Sequence, residues 1–135
     1  RKGIYMAAGI YNFTIEQGAT VDFEIQYKDS AGTPIDLSGY SADMILRESA
    51  GASSIQALTS SIGDTYAKAS GSAFLSLSGS NTTTPLSSGS IGVYIGHAVT
   101  DSFTFGTAVY DIELTKGQAR TRLIQGKVKL SKDIT

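Results

Sequence analysis

The sequence predicts a single all-β domain in which two antiparallel sheets of about seven strands pack face to face as a β-sandwich. Three observations support this prediction. Short runs alternate apolar and polar residues with the period of half-buried strands. The 15 glycines, together with many serines and threonines, mark turns between these runs. No long segment has convincing helical spacing, and 135 residues suffice for one hydrophobic core.

The first half of the chain contains the clearest strand patterns. Residues 11–15 alternate Tyr, Phe and Ile with polar residues, and residues 21–28 alternate Val, Phe, Ile and Tyr with Asp, Glu, Gln and Lys. Residues 29–32 form a turn because Asp bonds the following backbone and Gly adopts positive φ. After a connection at residues 33–39, residues 40–47 form the next alternating strand.

The middle of the chain is less informative. Residues 49–72 include Ile55, Leu58, Ile62 and Tyr66 at helix-like spacing, but their glycines favour short strands and loops. Further strands are predicted at residues 73–77 and 91–95, with a loop at residues 81–86 that ends in a helical turn. Residues 101–106 then form a compact crossing that buries two phenylalanines.

The end of the chain predicts a hairpin. Residues 109–114 alternate with three apolar residues on one face, residues 116–119 supply the turn, and residues 120–131 return as a long strand. Leu123 is out of phase with the apolar residues that follow it. We therefore expect a β-bulge at Gly126, since glycine is common at bulges.

Composition argues against several classes of function. The absence of cysteine excludes disulfide scaffolds, zinc–thiolate and iron–sulfur sites and cysteine nucleophiles, and it fits synthesis in a reducing cytoplasm. The net charge of −1 argues against a protein that binds nucleic acid by neutralising phosphates. No apolar run approaches the roughly 20 residues of a membrane-spanning helix, and we expect no export signal.

Charge is unevenly distributed along the chain. Between Glu48 and Asp101 the only charged residues are Asp64 and Lys68. This stretch either faces neighbours in an assembly or forms a surface that is solvated through its hydroxyl groups.

Candidate catalytic residues are few. His97 is the only histidine, and Asp101 and Ser102 lie close to it in the sequence. Members of a catalytic triad come together from separate elements and need an oxyanion-stabilising pocket, so this proximity favours a structural or surface histidine. We expect no catalytic residue and no enzymatic activity.

A pair of acidic residues is the only pattern that would suit a metal. Asp22 and Glu24 share the outer face of one strand, where they would bind calcium together with a ligand from another loop. Because the regular spacing of a calcium-binding loop is missing, we expect a solvated polar face that pairs with Lys28. We expect no metal site and no cofactor.

Basic residues are concentrated in the last hairpin. They include Arg120, Arg122, Lys127 and Lys129, and Asp111 is interleaved with them. Two hypotheses account for this concentration. The first, which we slightly favour, is structural: charged side chains on an outer strand discourage edge-to-edge aggregation. Alternatively, the hairpin docks onto an acidic neighbour, and its charge sets the orientation of that partner.

Four segments follow one another in the chain: YNFTIEQGAT at residues 11–20, KDSAGTPIDLSGY at 28–40, YDIEL at 110–114 and RLIQGKV at 122–128. In this order they resemble segments of small virion structural proteins of tailed phages, especially phages of cyanobacteria. They are also similar to the immunoglobulin-like N-terminal domain of upper-baseplate proteins in phages of Gram-positive hosts. The resemblance covers residues 10–50 and 90–135.

The resemblance implies an immunoglobulin-like sandwich that serves as a non-enzymatic component of a virion tail, baseplate, neck or head-decoration layer. Its partners would be other virion proteins and copies of itself in a symmetric multi-copy assembly, with neither nucleic acid nor membrane. Its location would be the virion, after synthesis in the host cytoplasm. The alternative is a carbohydrate-binding or adhesin module that recognises a host surface.

We expect residues 1–9 to form an arm and residues 10–135 to form the sandwich. The arm combines apolar and basic residues and would dock on an adjacent subunit. Its predicted contact residues are Arg1, Lys2, Ile4 and Tyr5.

Overall fold

The computed structural model describes residues 9–60, 68–77 and 89–132, so the predicted arm before Gly9, the helix-like residues Ile62 and Tyr66 and the predicted loop at residues 81–86 lie outside it. The described residues form nine β-strands and one short helix. In chain order these are β1 (Gly9–Ile10), β2 (Phe13–Glu16), β3 (Val21–Gln26), β4 (Ser41–Arg47), β5 (Ser54–Thr59), β6 (Ala73–Ser76), β7 (Ser90–Ile95), α1 (His97–Asp101), β8 (Thr107–Lys116) and β9 (Ala119–Ser131).

The strands form two sheets, and this confirms the predicted sandwich-like, mostly β architecture. The larger sheet has the order β1-β9-β8-β4-β5, with β2 also paired to β9, and the smaller sheet has the order β3-β7-β6. About seven strands were expected. The described residues contain nine because the first strand is interrupted between β1 and β2, and because β5 forms in the segment whose pattern was ambiguous.

The core is filled by alternate residues of each strand, as the sequence pattern predicts. In β4, Ala42, Met44 and Leu46 are buried. In β3, the polar residues are exposed and the apolar ones point toward the core. Burying an aliphatic side chain contributes about 1.5–3 kcal/mol, so this shared interior is the main source of stability. The largest fully buried side chains are Ile15, Leu37, Met44, Leu46, Leu58, Leu75, Ile91, Ile95, Ile112, Leu114, Leu123 and Val93.

The helix α1 was not predicted from the sequence. It is only five residues long, and no side chain caps its N-terminus. It is held by a tertiary contact, because the Thr100 hydroxyl donates to the Ala19 carbonyl at 2.8 Å and accepts from the Gly18 amide at 3.1 Å. The residues after it bury Phe103 and Phe105 in the crossing, as expected.

The irregularity in β9 is real, but its predicted position is wrong. The pairing of β8 with β9 shifts between Ile112, which faces Ile124, and Glu113, which faces Arg122, so Leu123 is the extra residue. Leu123 is buried, which explains why it is out of phase. Gly126 pairs regularly with Tyr110. Its lack of a side chain serves a different purpose, because a Cβ there would overlap the backbone of Tyr11.

The N-terminal strands cover the free edge of β9. Both run parallel to it, so the larger sheet is mixed, and the prediction of two antiparallel sheets is wrong at this edge. Asn12, at the break between the two strands, accepts a hydrogen bond from the Lys127 amide at 2.8 Å. The hypothesis that the basic residues of β9 protect an outer strand is therefore wrong for Lys127 and Lys129, because the N-terminal strands pair with β9 at Ile124, Gln125 and Val128–Ser131. Arg120 and Arg122 precede this paired part of β9, and for them the hypothesis stays a prediction. The charged side chains of β9 project from the sheet surface.

Candidate functional site

The outer surface of the larger sheet is crossed by two rows of side chains, each contributed by several strands. Residues that face each other in neighbouring strands project to the same side of a sheet. One row therefore runs from Ile10 through Gln125 and Asp111 to Ile45. The second row runs from Lys127 through Val109 to Arg47.

A groove of about 610 Å³ follows these rows. Ile10 and Asn12 form one end of it, where β1 meets β2. Arg47, Ala50 and Gly51 form the other end, where β4 turns into β5. The groove thus spans β9, β8 and β4, and it requires the N-terminal strand to be docked on β9.

Aliphatic side chains supply the apolar part of the groove. Ile10 is 70% exposed, and Ile45 and Val109 are half-buried. The residues that follow these last two in the chain, Leu46 and Tyr110, point into the core and are buried. Ile45 and Val109, on the neighbouring strands β4 and β8, form a partly exposed apolar patch of the kind found at interaction surfaces. Ile10 adds an exposed aliphatic side chain at the opposite end of the groove.

The charged side chains of the groove differ in how they are held. Arg122 Nε lies 3.4 Å from Asp111 Oδ2, in an ion pair that is open to solvent. Arg47 donates a hydrogen bond to the Ala52 carbonyl, which fixes its guanidinium at the end of the groove. Within the described ranges no carboxylate forms an ion pair with Lys127. Cations thus exceed carboxylates in this groove.

The four basic residues predicted as interface residues are distributed unequally. Arg122 and Lys127 line the groove, whereas Arg120 and Lys129 do not. Arg120 Nη1 lies 3.3 Å from Glu113 Oε1 on the exposed surface of the hairpin. Lys129 is exposed, faces Thr107 and lies beyond the groove on the same strand. The other predicted interface residues, Arg1, Lys2, Ile4 and Tyr5, lie outside the described residues.

Sequence reasoning missed the groove residues other than the basic residues of the last hairpin. A signal for two of them was present, because Ile45 and Val109 are apolar residues on the outward-facing side of otherwise alternating strands. An aliphatic residue at an outward-facing position is either one of the apolar residues common on protein surfaces or a residue that contacts a partner. The contribution of Ile10 and Arg47 depends on strand order, which alternation does not reveal.

The three candidate catalytic residues lie on α1 or directly after it. His97, Asp101 and Ser102 are all exposed. The Ser102 hydroxyl donates to the Val99 carbonyl at 2.6 Å. Between His97 and these two neighbours the described residues contain no side-chain hydrogen bond or ion pair.

Asp22, on β3, has a different partner from the one expected. Its Oδ2 atom lies 3.0 Å from Lys68 Nζ, whereas Lys28 is bridged to Pro34 through its backbone. The expected pairing with Lys28 is therefore wrong for Asp22. Among the residues that the structure describes, no group of three His, Cys, Asp or Glu side chains is placed to hold a metal ion.

A second, smaller depression of about 280 Å³ lies between β2 and β3. Its aromatic lining consists of Tyr11, Phe13 and Phe23, whose ring centroids are 5.1–5.9 Å apart. Tyr11 is 44% exposed, so an aromatic face is accessible at the side of the sandwich.

In the described part of the chain, no helix is long and apolar enough to cross a membrane.

A comparison with protein-family models finds no match for this chain, and a comparison with curated proteins finds none either.

Proposed function

We propose that this protein is a non-enzymatic structural component of a tailed-phage virion, in the tail, baseplate or neck region, and that it acts through protein–protein contacts. The order of the YNFTIEQGAT, KDSAGTPIDLSGY, YDIEL and RLIQGKV segments supports the virion role through its resemblance to such proteins. The groove on the larger sheet is the observation that carries the contact function, because it combines exposed aliphatic and cationic side chains on a rigid sheet.

We further infer that the sandwich is immunoglobulin-like. In that fold one sheet contains strands B, E and D, and the other contains G, F and C, which is extended by C′ in variable-type domains. The orders β3-β7-β6 and β9-β8-β4-β5 correspond to these two sets. The chain departs from antibody domains in having no cysteine for the disulfide between the sheets, so its two sheets are joined by apolar packing.

Analysis of purified particles tests the virion role directly. Quantitative mass spectrometry should find the protein in particles at a copy number that matches a symmetric ring or layer, since assembly modules repeat with the symmetry of their site. Imaging of the particle would then locate it in the tail, baseplate or neck. Absence of the protein from purified, infectious particles would contradict the proposal.

A carbohydrate-binding or adhesin module is the second candidate, and the accessible ring of Tyr11 favours it. Aromatic rings stack on the apolar faces of sugars, and Tyr11 is supported from below by Phe13 and Phe23. Binding on a glycan array that is abolished by Tyr11→Ala, but not by Tyr40→Ala, would favour this function. Tyr40 is a suitable control because it lies in the connection before β4.

A further inference from the structure

We propose that the groove on the larger sheet binds a segment of a partner protein in which an aliphatic side chain is flanked by carboxylates. This inference rests on the proposed assembly function, since it specifies the chemistry of one assembly contact. The groove residues that carry it are Lys127, Val109 and Arg47, with Ile45 and Ile10 alongside.

The order of residues across the sheet defines the shape of the ligand. Lys127, Val109 and Arg47 face one another on β9, β8 and β4, so an aliphatic side chain lies between two cationic ones. Neighbouring strands are about 4.8 Å apart, which places the Cα atoms of Lys127 and Arg47 roughly 10 Å apart. A complementary segment presents a carboxylate to each cation and an aliphatic side chain to Val109.

The charge balance of the groove selects an acidic ligand. Its described lining contains three cations, Arg47, Arg122 and Lys127, and one carboxylate, Asp111. Because Asp111 is already paired with Arg122, the other two cations are available to an incoming carboxylate. Opposite charge across an interface orients a partner and speeds its association, while the aliphatic contacts contribute most of the affinity.

The same arrangement argues against two other occupants. A second copy related by a two-fold axis would bring each set of three cations against an identical set, and like charges in contact are repulsive. A nucleic acid would need many cations and few aliphatic contacts, but the groove exposes Ile10 and places Ile45 and Val109 in its floor. An acidic, apolar polypeptide segment satisfies both features.

Peptide binding to the full chain tests this inference. The probe is a short fluorescein-labelled peptide in which single serines separate a central leucine from a glutamate on either side, so that both carboxylates and the leucine project to the same side of an extended chain. Its binding is titrated in a fluorescence-anisotropy assay and mapped by amide NMR shifts. We expect saturable binding that shifts the amides of β4, β8 and β9 around Val109. Binding should weaken when the salt concentration is raised from 0.1 to 1 M, because the Debye length falls from about 10 to about 3 Å.

A pair of charge reversals on one strand provides the matched comparison. Lys127→Glu should weaken binding about fivefold, which corresponds to one solvent-exposed ion pair, whereas Lys129→Glu should leave it unchanged. Both positions are exposed on β9, and only the first lines the groove. Amide spectra of both variants confirm that they are folded.

Each remaining outcome contradicts the inference. These outcomes are the absence of saturable binding, equal effects of the two reversals, or equal binding of peptides with lysine in place of glutamate or serine in place of leucine. Amide shifts at the groove that depend on protein concentration alone would identify a second copy as the occupant. Shifts there with a single-stranded oligonucleotide would identify a nucleic acid. If the groove does not bind the peptide but the protein is present in purified particles, the inference is contradicted and the virion role still stands. If the protein is absent from particles, the virion role is contradicted whatever the result with the peptide.

Discussion

At the scale of single residues, Gly126 controls how closely the N-terminal strand approaches β9. A Cβ at this position would overlap the Tyr11 carbonyl and approach the Asn12 side chain. We expect Gly126→Ala to displace the N-terminal strand and to lower the free energy of unfolding by about 1–3 kcal/mol, as overpacking does. Chemical denaturation measures this change. Hydrogen exchange should also show faster exchange of the Tyr11 amide, which bonds to the Gln125 carbonyl at 2.9 Å.

The control for this prediction is Gly106→Ala. A Cβ at Gly106 meets no atom within 4 Å, and the backbone there has no positive φ. This substitution should be neutral or stabilising by about 0.4–1 kcal/mol, because it restricts the unfolded chain. If the two variants unfold at the same denaturant concentration, the close approach at Gly126 has no energetic significance.

Tyr110 makes stability depend on pH in the alkaline range. Its hydroxyl donates to the Tyr11 carbonyl at 2.6 Å, and burial, with a smaller contribution from Tyr11, raises its pKa above the ordinary value of 10.0. The folded protein therefore holds this proton more tightly than the unfolded chain. The resulting stabilisation is fully present below pH 10 and is lost as the pH rises above it.

We expect Tyr110→Phe to make the alkaline loss of stability shallower, by at most about 1.4 kcal/mol per pH unit, because one titrating group is removed. At neutral pH the loss of the hydrogen bond should cost about 0.5–1.5 kcal/mol. Denaturation at several pH values from 7 upward measures both effects. The alkaline loss of stability should not disappear completely in Tyr110→Phe, because burial also raises the pKa of Tyr27. An unchanged slope in Tyr110→Phe would contradict the prediction.

At the scale of secondary-structure elements, α1 depends on one buried hydroxyl. Thr100 is fully buried and connects α1 to the turn between β2 and β3. Thr100→Val keeps the shape of the side chain but leaves the Gly18 amide and Ala19 carbonyl without this partner. We expect it to lower the free energy of unfolding by about 1–3 kcal/mol in chemical denaturation. Thr104→Val is the control, since Thr104 is exposed, and an equal effect there would contradict the role of the hydroxyl.

The elements that could be predicted from sequence are those whose residues alternate. For β3 and β4 the alternation fixes both the strand and its buried face, because a side-chain period of two allows only one face to enter the core. The helix α1 has no such local signal, because its stabilising contact comes from residues more than 80 positions away. The bulge illustrates a different limit. The phase error at Leu123 was visible, but glycine marks close backbone approach as well as bulges, and here it marks the former.

At the scale of the whole molecule, the two faces of the larger sheet have different tasks. Leu46 is fully buried in the core, whereas its neighbour Ile45 is half-buried in the groove. We expect Leu46→Ala to lower the free energy of unfolding by about 2–5 kcal/mol, and Ile45→Ala by about 1 kcal/mol or less. Only Ile45→Ala should weaken binding of the glutamate–leucine peptide in a protein that remains fully folded by circular dichroism. Equal losses of stability would show that the outer face also belongs to the structural core.

The candidate site could be predicted only in part. The concentration of basic residues in the last hairpin directed attention to Arg122 and Lys127, which line the groove. It did not separate them from Arg120 and Lys129, because position along a strand does not reveal which residues of other strands lie opposite. The groove exists because β4 pairs with β8 and the N-terminal strand pairs with β9. Such long-range pairings depend on the cooperative packing of the whole core, so they cannot be read from the local residue pattern of a single sequence.

The parallel pairing of the N-terminal strands with β9 has a mechanical consequence. Gly9 faces Ile124, whereas β9 continues to Ser131, so these two strand ends lie at opposite poles of the sheet, about 23 Å apart along β9. A tensile load applied at these ends would pull the two strands past each other in shear, and their hydrogen bonds would be loaded together. An antiparallel terminal pair would instead be peeled apart one bond at a time. The described fold should therefore resist a load applied between Gly9 and Ser131 better than a fold with an antiparallel terminal pair would.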